Sequence, residues 1–92
     1  MTELNFRFNK VTHRDEVIGA IVLPNVINGR YIEYNVMPLD LVNYDYGGTT
    51  VKLIRVDNPS EMIIVDWSKR INNIEIEAIY EDTYELLIRV KY

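Results

Sequence analysis

Apolar and polar residues alternate along most of the chain. Leu4, Phe6 and Phe8 alternate with polar neighbours, and the same period of two returns over residues 74–80 and 84–92. Because successive side chains of a β-strand point to opposite faces, this period predicts strands with one buried and one exposed face. Turn-forming residues separate the alternating segments. We therefore predict an all-β domain, a mostly antiparallel meander of seven or eight short strands.

Asn28 and Gly29 lie between two β-favouring runs and predict a two-residue hairpin turn. A turn of that length would place Leu23 opposite Tyr34. One face of the hairpin would then be apolar, formed by Ile21, Leu23, Ile32, Tyr34 and Val36. Pro24 has no N–H to donate to a neighbouring strand, so we expect its strand to lie at a sheet edge or to contain a bulge.

A second pair of turn residues, Gly47 and Gly48, predicts another two-residue hairpin, which would place Asp40 opposite Arg55. The strand that follows, residues 51–56, is apolar on both faces. One face carries Val51 and Leu53, and the other carries Ile54 and Val56. Such a strand is typical of a sheet covered on both sides, so we expect both faces to be buried in a small barrel or a two-layer sandwich.

Residues 68–82 allow two interpretations. The apolar residues from Ile74 onwards alternate as in a strand: Ile74, Ile76, Ala78 and Tyr80. Ser68 could instead cap a helix whose apolar face would include Ile71 and Ala78. We prefer the strand, and the alternative fold is an α+β domain with one helix near residues 68–82.

Length and composition limit the organisation of the chain. Ninety-two residues give room for one core, so we expect residues 1–92 to form a single β-rich domain. The chain has no cysteine, which excludes disulfides and cysteine-based zinc sites. The first residues carry charges and no apolar signal segment, and the longest uncharged stretch, residues 17–29, is too short to cross a bilayer. We therefore expect a cytoplasmic protein that does not act at a membrane.

The chain is acidic, with 14 carboxylates against 10 Lys and Arg and a net charge of −4. Acidic and basic residues are spread evenly, and no basic arm or stripe is present. Binding to nucleic acid depends on neutralising phosphates with Lys and Arg. The charge pattern therefore predicts no nucleic-acid partner.

His13, Arg14 and Asp15 match the first three residues of the protein-kinase catalytic loop. Ala20 stands where that loop needs Asn, and the glycine-rich and Asp-Phe-Gly elements are absent. His13 is the only histidine, and with Asp15 and Glu16 it could offer three metal ligands from one loop. Metal sites usually draw their ligands from several elements, so we interpret this segment as a solvated polar loop.

Carboxylates are plentiful, and two of them across a cleft could perform acid–base catalysis. The candidate cluster for such catalysis comprises Glu75, Glu77 and Glu85. These residues alternate with apolar ones, which is typical of the exposed face of a hairpin, here one that would place Glu75 opposite Arg89. We therefore expect no enzyme, no cofactor and no metal.

Tyrosine is the one residue type whose abundance indicates a function. The chain has seven tyrosines and one tryptophan, residues that are enriched at protein interfaces. Tyr31 and Tyr46 lie outside the predicted apolar faces, and Asn43 and Asp45 lie beside Tyr46 near the Gly47–Gly48 turn. These four residues are the candidate protein-binding site.

Three hypotheses of function follow. The first is a small acidic non-enzymatic domain for protein binding or assembly, of the kind that a phage or mobile element encodes as an accessory or inhibitor protein. Its partner would be another protein or a second copy, bound through a sheet edge. The second is a small-molecule-binding β-barrel, and the third is an enzyme or metal protein that uses carboxylates or His13.

Overall fold

The computed structural model describes residues 2–9, 15–25, 27–43, 48–82 and 84–92, with the backbone alone at 40–43. These residues form eight antiparallel strands in a nearly closed, barrel-shaped sheet and no helix. The prediction of an all-β meander is confirmed, and of the two predicted architectures the sheet has the shape of the barrel. The strands are β1 (Glu3–Asn9), β2 (Gly19–Asn25), β3 (Arg30–Asn43), β4 (Gly48–Arg55), β5 (Met62–Asp66), β6 (Ser68–Ile71), β7 (Ile74–Tyr80) and β8 (Glu85–Lys91).

The strands from β2 to β8 follow one another in the sheet, and β1 joins the free side of β8. The two edges are therefore β1 and β2, which confirms the edge position predicted from Pro24. The ring of Phe8 on β1 occupies the space over Gly19 on β2. At the other end of these strands, the hydroxyls of Tyr31 and Tyr92 share a hydrogen bond of 2.9 Å. We call the gap between β1 and β2 the seam, because the described residues of the two strands form no ladder across it.

The core lies inside the barrel and is formed by the inward side chains of β2 to β8. Leu4, Phe6 and Phe8 of β1 are half-buried and pack against it. Burial of this apolar surface is the main force that stabilises the fold. The core residues are Ile21, Leu23, Tyr34, Val36, Val51, Leu53, Val65, Ile74, Ile76, Ala78, Leu86, Ile88 and Val90.

The β2–β3 hairpin has the predicted apolar face but a different register. Leu23 lies opposite Ile32, not opposite Tyr34, so the predicted pairing is wrong by two residues. The side-chain oxygen of Asn25 accepts a hydrogen bond from the Ile27 N–H at 3.0 Å, and the Asn25 carbonyl accepts one from the Gly29 N–H at 2.8 Å. With this local capping, β2 ends at Asn25 and β3 begins at Arg30, so the connection is longer than the predicted two residues.

The β3–β4 hairpin also differs from the prediction. β3 continues through Pro38 as one strand of 14 residues, and its pairing with β4 shifts on either side of Asp40. Asp40 lies opposite Thr50, and Arg55 lies opposite Tyr34, so the predicted Asp40–Arg55 pair is wrong. Each β-bulge adds an unpaired residue to one strand, which displaces every pairing beyond it. The predicted turn residue Gly47 lies outside the described residues.

The prediction that β4 is buried on both faces is half wrong. Val51 and Leu53 are fully buried in the core, but Ile54 is half-buried and Val56 is 44% exposed. The Val56 N–H donates to the Glu33 carbonyl on β3 at 3.0 Å, so Val56 does not pair with β5. The inward face of this strand is core, and its outer face is open.

The alternative helix near residues 68–82 is wrong, because this segment contains β6 and β7. Trp67, with a φ of 62°, turns the chain between β5 and β6. A Cβ on Gly48 would collide with Trp67, and Gly48 pairs directly with Ile79 of β7. Trp67 therefore marks the corner at which β4 also meets β7.

Candidate protein interface

The outer surface of β4 and β5 carries a cluster of exposed apolar side chains. Ile54 on β4 lies directly opposite Met62 on β5. Met62, Ile64 and Val56 are 48%, 42% and 44% exposed, whereas Ile54 is half-buried between its neighbours. We call these four residues the apolar face. Contiguous apolar surface on a small monomer is typical of an interaction site.

Three charged residues border the apolar face. Lys52 lies opposite Ile64, and Asp66 lies two residues beyond Ile64 on β5. Glu33 on β3 adjoins Val56 through the backbone hydrogen bond between them. Within the described part of the chain, the side chains of Lys52, Asp66 and Glu33 form no ion pair. The face therefore presents a cation and two carboxylates that remain available to a partner.

The outer surface of β1 and β6–β8 is different, because most of its charges form ion pairs. The Arg89 guanidinium lies 3.0 Å from the Glu3 carboxylate and 3.7 Å from the Glu77 carboxylate. The predicted pairing of Arg89 with Glu75 is therefore wrong. Glu75 instead pairs with Arg70 at 3.0 Å. Arg7 and Glu81 form a further ion pair. This side of the barrel is thus a charge-balanced, solvated surface.

Of the four predicted interface residues, the described structure contains Tyr31 and the backbone of Asn43. Tyr31 is 56% exposed on the outer surface of β3, two residues from Glu33, and its hydrogen bond raises the pKa of the Tyr92 hydroxyl. The backbone of Asn43 pairs with Gly48 at the end of β3. The other two predicted residues, Asp45 and Tyr46, lie outside the described residues. Their role in binding stays a prediction.

The sequence also suggested a metal site, which can be compared with the parts of the chain that are described. No group of three His, Cys, Asp or Glu side chains there is placed to hold a metal ion, and His13 lies outside them. No helix in these parts is long and apolar enough to cross a membrane. Comparisons with protein families, curated proteins and solved structures found no match to this chain.

The apolar face corresponds to an apolar pattern in the sequence that was interpreted as buried core. Ile54 and Val56 make the second face of their strand apolar, and Met62 and Ile64 do the same for the next strand. That pattern indicates apolar surface on both sides of a sheet. It does not distinguish burial within one chain from burial against a second chain.

Proposed function

We propose that this chain is a non-enzymatic binding domain that pairs with a second copy of itself through the apolar face. The observation that carries the proposal is the cluster of exposed apolar side chains on one side of the barrel, bordered by charges that form no ion pair among the described residues. Protein is thus the proposed partner, rather than nucleic acid or a membrane, and the cytoplasm is the proposed location.

A second copy fits because the face is complementary to itself. A two-fold axis in the plane of the face, crossing the strands at the Ile54–Met62 pair, would reverse the strand direction of the second copy. Lys52 lies two residues from Ile54 on one side, and Val56 lies two residues away on the other. Lys52 of one copy would then approach Glu33 beside Val56 of the other. An isologous contact forms each such pair twice.

The apolar contribution is moderate. Full burial of a Val, Leu, Ile or Met side chain contributes about 1.5–3 kcal/mol, so the half-exposed side chains of the face have about 1 kcal/mol each still to gain. Four such residues on each copy give roughly 8 kcal/mol before the cost of association, which is about 4–15 kcal/mol. At the low end of that cost about 4 kcal/mol remains, so we expect a weak dimer with a dissociation constant on the order of 1 mM.

Ile64→Lys is the test of the face. Sedimentation of the full chain from about 10 µM to 1 mM should show a monomer–dimer equilibrium that Ile64→Lys abolishes, because a charge would be buried in the contact. Tyr84→Lys is the control. It places the same charge at an exposed residue between β7 and β8, outside the apolar face, and should leave the dimer intact.

A charge exchange tests the orientation. Lys52→Glu and Glu33→Lys should each weaken the dimer, and the double variant should restore it, since the pair is reversed and not removed. A chain that stays monomeric at about 1 mM would contradict the proposal, as would a dimer that tolerates Ile64→Lys. In the latter case, slower hydrogen exchange of β2 amides at high concentration would indicate pairing at the sheet edge instead.

A further inference from the structure

A cavity of about 210 Å³ lies at the end of the barrel where β2 ends and β7 begins. Its floor is apolar and is formed by Leu23, Ile32, Ile63, Ile74 and Ile76. Its rim is polar. A dry apolar cavity of about 150 Å³ is large enough to hold benzene, so this one has room for a single aromatic ring or a short branched chain.

Tyr34 gives the cavity a hydroxyl group. The side chain lines the cavity, the residue is only 7% exposed, and no hydrogen bond to its hydroxyl occurs among the described residues. Burial, together with the nearby Glu61 carboxylate, raises the pKa of this hydroxyl, so it remains neutral at physiological pH. The hydroxyl oxygen keeps some contact with solvent, so a ligand in the cavity can displace water and form a hydrogen bond with it.

Arg55 and Glu61 line the cavity, and Asp57 pairs with Arg55 beside it, so the three groups together carry a charge of −1. Arg55 forms two hydrogen bonds to Asp57, through Nε and through Nη2 at 3.1 Å, and Nη1 donates to Glu61 Oε2 at 2.6 Å. The guanidinium is therefore already balanced, and the second carboxylate is in excess. Glu61 Oε1 accepts no hydrogen bond within the described structure. An anionic ligand would meet net repulsion here, whereas a cation would meet a free carboxylate oxygen.

We propose that this cavity binds a small primary amine whose apolar body is about the size of an aromatic ring. The body fills the space above the isoleucine floor. The ammonium group, which has three N–H donors, donates to Glu61 Oε1 and to the Tyr34 hydroxyl at the rim. This site lies at the barrel end and does not depend on the proposed dimer, so either proposal can fail alone.

Three probes with the same ring test the charge preference: benzylamine, benzyl alcohol and benzoate. Each is titrated into the ¹⁵N-labelled chain at neutral pH, and amide shifts are followed by NMR. Benzylamine should give saturable shifts at Ile32, Ile63 and Ile74, with a dissociation constant on the order of 1 mM, as expected for a ligand of about eight heavy atoms. Benzyl alcohol should bind about fivefold more weakly, and benzoate more weakly still.

Two variants test the polar groups. Glu61→Gln should reduce the preference for benzylamine over benzyl alcohol to about one, and Tyr34→Phe should weaken both ligands about threefold or more. Glu75→Gln is the matched control, because it neutralises another arginine-paired carboxylate away from the cavity. The proposal is overturned if benzylamine gives no saturable shifts, if benzoate binds as tightly, or if Glu61→Gln leaves the preference unchanged.

Discussion

Leu53 and Ile54 are neighbours on β4 with opposite environments, and alanine at each position should measure the difference. Leu53 is fully buried, between Val36 of β3 and Ile63 of β5, whereas Ile54 is half-buried on the apolar face. Leu53→Ala removes three buried carbons, worth about 2.4 kcal/mol by transfer, and leaves a cavity, so we expect a loss of about 3 kcal/mol. Ile54→Ala should cost about 1 kcal/mol in the monomer.

Thermal unfolding measured by circular dichroism at about 10 µM, where the monomer dominates, provides the assay. For a domain of this size, 1 kcal/mol shifts Tm by about 4–8 °C, so Leu53→Ala should lower Tm by roughly 12–24 °C and Ile54→Ala by roughly 4–8 °C. At about 1 mM the deficit of Ile54→Ala should grow, because this variant also loses dimer contacts. Equal losses for the two variants at low concentration would refute the assignment of one face to the core and the other to the surface.

Two further predictions concern backbone and charge. Gly48→Ala should lower the free energy of unfolding by about 2–3 kcal/mol, because the new Cβ collides with Trp67. Gly29→Ala should lower it by about 1 kcal/mol, because only the φ of 71° opposes the substitution. Denaturant titration measures both losses, and equal losses would contradict the steric argument. Arg55 holds the pKa of Asp57 below its ordinary value, so their ion pair stabilises the fold above about pH 4 and is lost as pH falls through the lowered pKa. NMR titration of the Asp57 carboxyl should show its midpoint rising in Arg55→Gln, and an unchanged midpoint would refute the pairing.

The inward and outward faces of the strands could be predicted from the sequence because strand side chains alternate with a period of two. Leu23 lies opposite Ile32 instead of Tyr34, yet a shift of two residues leaves all three on the same face. The apolar core of the hairpin was therefore predicted correctly despite its wrong register.

The registers could not be predicted, because side chains next to the turns extend the loops. Asn25 caps the β2–β3 loop, and the Asp82 side chain accepts hydrogen bonds from the backbone N–H groups of Tyr84 and Glu85 before β8. Each of these side-chain hydrogen bonds competes with the next backbone hydrogen bond between the two strands. The pattern of apolar residues does not show which of the two forms. The register shifts of β3 near Asp40 are likewise not encoded in the apolar pattern.

The two candidate binding surfaces differ in how far the sequence could lead to them. The apolar face was visible as a second apolar pattern through Ile54 and Val56, and only its interpretation as core was wrong. The barrel-end cavity was not visible, because Leu23, Ile63 and Ile74 come from distant strands and each carries an ordinary core pattern. A cavity depends on how those strands fail to fill the space between them, which no local pattern encodes.

The position of β1 has a consequence for how the chain reaches this structure. Glu3 pairs with Lys91 at the other end of the sequence, whereas β2 to β8 pair mainly with their immediate neighbours. Closing a long loop costs more entropy than closing a hairpin, and local contacts form faster. We therefore expect the seven-strand meander to assemble first and β1 to dock last. Until β1 docks, the β8 edge presents unpaired backbone groups that another chain can bind. The rate at which β1 docks would therefore determine how long the chain is prone to aggregation.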